Sequence, residues 1–456
     1  MAQNFDFLDE AQTSIFNEPP PSFGRALVPY FSVDPTHTNV NSGSYGSTPK
    51  VVIEAAAQLN RRIESNPDKF HLLEYKPLLV KTRSQIAELI GAQLDETVLV
   101  MNATLAINTV LRNFNWSEGD LIITCSTSYM AVSATVQCLA ATPPHPRVVS
   151  LDLRFPMSHE EILTKFAAFL KSPQCQVAKG HKRLAIIESI VSTPGVLMPW
   201  KEMVRMCKEE GIWNLVDAAH SIGHELDVNL SLAQPDFWVS SCHKWLYVKR
   251  PCAVLYVPFR NQHIIKTAFP TNSAYSSSPN KKASNFVEQF TWNETIDYTQ
   301  YLTAVNALAF RKWLGGERVI NTYCHNLAMQ GGQLLAKMLG TTTLGGDGDK
   351  AVNMTNVQLP FPEDVPWTWD LDRMFKQKML VDRRIYSYFY YHNNKWWTRC
   401  SVQVFNELRD FELLGKAWLE VCSEMLDEIG YTGKSIYDIR KRADGHGHTS
   451  KAYRKI

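Results

Sequence analysis

No two of the nine cysteines are spaced as a Cys-x-x-Cys pair, so the sequence outlines neither a zinc ribbon nor a disulfide framework. An odd number of thiols scattered from Cys125 to Cys422 fits a reducing compartment, and the cytoplasm is the expected location. An excess of one charge is missing too. The 47 Lys and Arg stand against 45 Asp and Glu, a formal net charge of +2, which argues against nucleic acid as the main partner. No stretch is long and apolar enough to span a membrane, and Met1 to Phe23, with its acids and its Pro19-Pro20-Pro21 run, lacks the apolar centre of a signal peptide. There is no internal repeat. What is left is ordinary globular composition, 45% hydrophobic and 20% charged, over 456 residues, enough for two domains.

Two strand ends carry the chemistry. In Pro235 to Trp245 an apolar run that reads as a buried strand ends in small polar residues, then His243 and Lys244. A desolvated lysine amine is a nucleophile and forms Schiff bases with aldehydes. Upstream, Ile212 to His220 reads as a second strand and ends at Asp217. Pyridoxal phosphate needs this combination, a lysine for its aldehyde and an acid for its ring nitrogen. Either residue alone is as well explained by a surface lysine or an ordinary strand-end aspartate.

The rest of the chain supplies a frame for that pair. Residues 1–37 are polar and punctuated by proline, an N-terminal arm. Asn39 to Pro49 is a tight loop whose amides suit an anion or simply turn the chain. Helical periodicity runs from Val51 to Ile90. The strand Thr97 to Met101 opens through Asn102-Ala103-Thr104 into a helix. That junction is either a phosphate seat at a helix start or a plain N-cap. Further strands follow at 121–124, 148–151, 184–189 and 251–257, alternating with helices. This is the pattern of an α/β fold with a mostly parallel sheet. Ligands sit at the C-terminal strand ends of such sheets, the edge to which Thr104, Tyr129, Ser192, Asp217 and Lys244 all map. We expect a large domain over 38–315 and a small C-terminal α/β domain over 316–432, with Tyr- and Trp-rich strands before Arg399. Ala268 to Glu288 is rich in Ser, Asn and Lys and is expected to be mobile. The end of the chain, 433–456, carries seven Lys and Arg against two Asp and is expected to be a disordered tail.

The stretches Asn41-Ser42-Gly43-Ser44-Tyr45-Gly46, Asn102-Ala103-Thr104, Val216-Asp217-Ala218-Ala219-His220, Ser241-Cys242-His243-Lys244-Trp245 and Thr398-Arg399-Cys400-Ser401 resemble the class V, cysteine-desulfurase-like branch of the fold-type I pyridoxal-phosphate enzymes. The nearest likeness is to its isopenicillin-epimerase-like members. The resemblance implies a large domain built on a seven-stranded sheet and a smaller C-terminal domain. It implies that Lys244 binds the cofactor covalently, that Asp217 pairs with its ring nitrogen, and that Ala103, Thr104, Ser241 and His243 hold its phosphate. His220 stands where relatives often carry Gln against the cofactor oxygen. Thr295 fits a position that reaches the phosphate across a homodimer interface, although Glu294 replaces a Gly common before it. Arg399 fits the guanidinium that grips a substrate carboxylate, and Ser44 and Tyr45 belong to the substrate side of the site. No metal is implied.

The expected chemistry is that of a lyase acting on a small molecule. No Gly-His-Cys-Ala-like loop is present, and Cys400 should face away from Arg399 on a shared strand, which disfavours a persulfide mechanism. The segment Thr127 to Val132 and the aromatic run before Arg399 resemble the ergothioneine C–S lyases, which cleave hercynylcysteine sulfoxide. On that likeness Tyr129 stacks on the cofactor and donates a proton to the departing sulfur. Tyr388, Tyr390 and Trp397 are candidates for holding a trimethylammonium group. An aminotransferase, an epimerase or a cysteine desulfurase would share the cofactor residues, and a non-catalytic scaffold is the alternative of a different class.

Overall fold

The computed structural model describes residues 6–266, 286–346 and 352–433. Its frame is a seven-stranded sheet: β1 (Thr97–Val100), β2 (Leu121–Cys125), β3 (Arg147–Leu151), β4 (Arg183–Glu188), β5 (Trp213–Asp217), β6 (Phe237–Ser241) and β7 (Ala253–Tyr256). The spatial order is β1-β7-β6-β5-β4-β2-β3. Strand β7 runs antiparallel to both of its neighbours and every other pair is parallel. The strands are apolar on both faces because helices cover both faces. Alternate residues divide between two cores. Ile187, Val216 and Trp238 pack on one side, while Ile186, Leu215, Phe237 and Val239 pack on the other with Ala103, Ile107 and Val132.

That alternation sets the site. Glu188, Asp217 and Ser241 fall on the parity of the second face, at the C-terminal ends of three neighbouring strands. Helices Ala103–Asn113 and Met130–Ala141 start at the same edge and cover that face.

The C-terminal part adds a three-stranded antiparallel sheet of β8 (Met354–Gln358), β9 (Tyr388–His392) and β10 (Lys395–Ser401), in the order β9-β10-β8. Helices Gly316–Leu339 and Leu408–Glu428 pack against each other behind it. The loop at 41–46 reaches this sheet: Thr38–Asn39 pairs in parallel with Ile385–Tyr386, and the Ser401 amide donates to Val40 O. Residues before 38 form short helical turns, and they bury Phe16, Leu27 and Phe31 against the body. Phe16 meets Trp313 edge-on, so the arm is tied down by its few apolar residues although its composition is polar. The stretch expected to be mobile lies mostly, and the basic tail almost wholly, outside the described residues.

Candidate active site

A cleft of about 420 Å³ opens at the C-terminal edge of the large sheet. It gathers Ser44, Tyr45, Ala103, Thr104, Tyr129, Asp217, His220, Ser241, His243, Lys244 and Arg399, drawn from six separate stretches of sequence. Three expected residues are elsewhere. Thr295 is exposed and does not line this cleft, and Tyr390 and Trp397, unlike Tyr388, are buried outside it.

Lys244 sits on a single helical turn, Cys242–Trp245, directly after β6. Burial pushes its amine down to about 8; Asp217 acts in the opposite direction and Arg399 adds to the fall. Lys244 Nζ lies 3.1 Å from His220 Nε2. Asp217 ends β5, and its Oδ1 accepts from the Ala219 amide at 3.1 Å. Burial raises the Asp217 carboxyl, with Lys244 and that amide opposing the rise.

Helix Ala103–Asn113 begins at the cleft. Asn102 caps it by accepting from the Leu105 amide at 2.9 Å, which leaves the first-turn amides of Ala103 and Thr104 at the positive end of an eleven-residue helix. Ser241 and His243 line the cleft with them. His243 Nδ1 donates to Cys252 O at 3.2 Å, and burial pushes its pKa down to about 4.

Arg399 is 1% exposed. Nη1 donates to Ser192 O at 2.6 Å, and Nη2 donates to Asn41 Oδ1 at 3.1 Å and Ser44 Oγ at 2.9 Å. The guanidinium lies over the Tyr388 ring, 5.1 Å from its centroid, and Nε has no partner among the described residues. Cys400 on the same strand is buried outside the cleft, with its thiol pushed up to about 12 by burial. No cysteine lines the cleft among the described residues.

The loop carrying Ser44 and Tyr45 lies directly on the lysine turn. Gly46 has φ +72°, and a Cβ there would stand 1.7 Å from His243 O, so only glycine permits this approach. Tyr129 precedes helix Met130–Ala141 and is 49% exposed in the cleft wall.

Three contributors escape the sequence reading. Glu188, the β4 partner of Asp217, is buried and accepts from Thr127 Oγ1 at 2.7 Å. Burial pushes its carboxyl up to about 8, with the Thr127 bond opposing and Asp217 adding to the rise. The available signal was an acid closing an otherwise apolar strand, as at Asp217. Lys376 reaches the cleft from helix Trp369–Lys376, a helix with no motif to announce it. Trp245 donates its indole N–H to His220 Nδ1 at 3.2 Å.

The model of the class-V aminotransferase family matches residues 42–268. The chain is 35% identical over 448 residues to an L-cysteine desulfhydrase-like protein, lolT1, of Epichloe uncinata, covering 90% of this chain and 98% of that one. It is 30% identical over 408 residues to hercynylcysteine sulfoxide lyase of Schizosaccharomyces pombe, with 88% and 98% covered. The chain belongs to the class-V aminotransferase family. Its cofactor is therefore pyridoxal 5'-phosphate, and it is an enzyme. Among solved structures, the cystine C–S lyase C-DES in complex with cysteine persulfide superposes with a TM-score of 0.69 at 19% identity, over 84% of this chain and 97% of the other, a likeness of fold.

Proposed function

We propose that this class-V enzyme is a carbon–sulfur lyase that eliminates the sulfur substituent of a cysteine sulfoxide conjugate of the hercynylcysteine sulfoxide type. The observation that carries the reading is the composition of the cleft. A lysine amine, a carboxylate and a buried guanidinium meet an exposed tyrosine, and no described cysteine is among the lining residues. That set serves elimination without a persulfide-carrying thiol. The naming of relatives as L-cysteine desulfhydrases and as hercynylcysteine sulfoxide lyase points to the same bond.

The donor set suits the cofactor. The Ala103 and Thr104 amides with Ser241 and His243 would hold its phosphate. Asp217 would face its ring nitrogen, His220 its ring oxygen, and Lys244 its aldehyde. When bound, the cofactor supplies an electron sink for charge released at the substrate's Cα. Arg399 binds the substrate carboxylate through Nε and through Nη2, which exchanges its bond to Ser44 Oγ for the carboxylate, with Ser44 and Tyr45 covering it. Lys244 takes the Cα proton, a task suited to an amine held near 8. Tyr129 donates a proton to the departing sulfur. The balance is one conjugate plus water giving one sulfenic acid, one pyruvate and one ammonium. Reduction of the sulfenic acid to the thiol, ergothioneine, needs a separate reductant. Tyr45, Tyr129 and Tyr388 line the cleft and offer faces to a trimethylammonium group.

The proposal includes a cytoplasmic homodimer in which Thr295 reaches the partner's phosphate site. Tyr45, Met101, Tyr129 and Met130 present an exposed apolar rim around the cleft that a second copy would cover, and none of the nine thiols is paired. A second reading, desulfhydration of free cysteine, is favoured by the names of the relatives at 35% identity. Pyruvate release from the sulfoxide conjugate and from cysteine decides between them. A kcat/KM at least tenfold higher for the conjugate supports the proposal, and the reverse ratio with sulfide release replaces it.

A further inference from the structure

The two nitrogens of His220 are held by groups of different kinds. Nδ1 lies 3.2 Å from the indole Nε1 of Trp245, and Nε2 lies 3.1 Å from Lys244 Nζ. Turning the ring over would put carbon at both places, so the two contacts fix its orientation. An indole N–H only donates, so Nδ1 must offer a lone pair. The neutral imidazole then carries its one proton on Nε2, aimed at Lys244 Nζ. An ammonium there would set N–H against N–H. A free amine accepts the bond.

Trp245 has no freedom to give way. His224 stacks on it, with centroids 4.0 Å apart and an interplanar angle of 33°. His224 Nε2 accepts from the Asn353 amide at 2.7 Å, so its Nδ1–H donates to His220 O at 2.9 Å, and the same logic fixes this second tautomer. The Trp245 carbonyl accepts from Arg311 Nη1 at 2.8 Å, and Arg311 is paired with Glu317. Both His220 and Trp245 are almost fully buried.

We propose that Trp245 is a positioning residue: its indole N–H selects the His220 tautomer that presents Nε2–H to Lys244 Nζ, and so holds the lysine as the free amine that captures the cofactor aldehyde. This rests on the cofactor assignment and does not depend on which conjugate is cleaved. The charged and titratable groups facing Lys244 and His220 are Asp217 from β5, Arg399 from β10, and His224 and His243 from the adjoining turns. Asp217 favours the charged lysine, Arg399 opposes it, and burial keeps His220 neutral. Without the indole, His220 can move its proton to Nδ1 and accept from a lysine ammonium.

The test is the rate at which the cofactor-stripped full-length protein takes up pyridoxal phosphate, followed by its visible absorption across pH 6 to 10. Trp245→Phe should move the midpoint of that profile upward by about one pH unit, equivalent to roughly tenfold slower capture near pH 7. A uniform loss of rate with an unmoved midpoint would mean that Trp245 is merely structural and would overturn the proposal. Should circular dichroism show that the variant does not fold, 15N spectra of histidine-labelled wild-type protein decide. A proton on His220 Nε2 supports the assignment, and a proton on Nδ1 overturns it.

Discussion

Replacing Glu188 by Gln should make the protein more stable at alkaline pH, although it removes a carboxyl from the active-site edge. Proton linkage sets the sign. Burial raises the Glu188 carboxyl from 4.5 to about 8. Between those values the folded protein keeps a proton that the unfolded chain has lost. Unfolding therefore releases a proton, and stability falls as pH rises. The neutral form's contribution is complete below 4.5 and is lost as pH passes through about 8. Each pH unit inside the window costs about 1.4 kcal/mol, which gives roughly 3 to 4 kcal/mol between pH 5 and pH 8. Glutamine keeps the Thr127 bond, because its amide oxygen accepts where Glu188 Oε2 does at 2.7 Å, and it cannot ionise. The buried histidines 220, 224 and 243 are held low in the fold and give slopes of the opposite sign, but both proteins share them. The assay is urea unfolding of cofactor-free wild type and Glu188→Gln, followed by tryptophan fluorescence at half-unit pH steps. The two should lie closest at pH 5 and diverge steadily from there to about pH 8, with the variant ahead. Parallel curves would refute the argument and leave Glu188 ionised in the fold.

Arg399→Lys should raise KM for the amino acid substrate by about tenfold or more while the bound cofactor's spectrum stays normal, since the planar fork is lost and only a point charge remains. Cofactor loss would make Arg399 structural. Tyr129→Phe keeps the ring and removes the proton donor. Pyruvate release should fall by about 100- to 10,000-fold while exchange of the substrate α-proton with deuterium, read by NMR, persists. Equal loss of both would place Tyr129 before the elimination. Gly46→Ala should lower the melting temperature and raise KM together, because its Cβ meets His243 O and its φ is positive. Scanning calorimetry and steady-state kinetics check both effects.

The residues that bear on the site were legible where local sequence and tertiary position coincide. The strands ending at Asp217 and Lys244 are apolar runs with an abrupt polar end, and that signature survives without any knowledge of neighbours. The alternating strands and helices from 97 to 257 gave the mostly parallel sheet for the same reason. Arg399 was reached through a short motif, and the direction of Cys400 followed from strand alternation. Glu188 was missed because its significance lies in the strand beside it: only the β4–β5 register brings it next to Asp217. Lys376 comes from a helix far along the chain with no local mark. Trp245 closed the lysine motif without a role, and only the folded position of His220 gives its N–H a purpose. The arm's buried Phe16, Leu27 and Phe31 were obscured by the prolines and acids around them.

The most direct test of the elimination chemistry is a product balance on hercynylcysteine sulfoxide with the purified enzyme in D2O, with no 2-oxo acid added. The account predicts one pyruvate and one ammonium for each sulfur product, with no requirement for an acceptor. Pyruvate that appears only after a 2-oxo acid is supplied, or substrate returned with inverted Cα and its C–S bond intact, would contradict it.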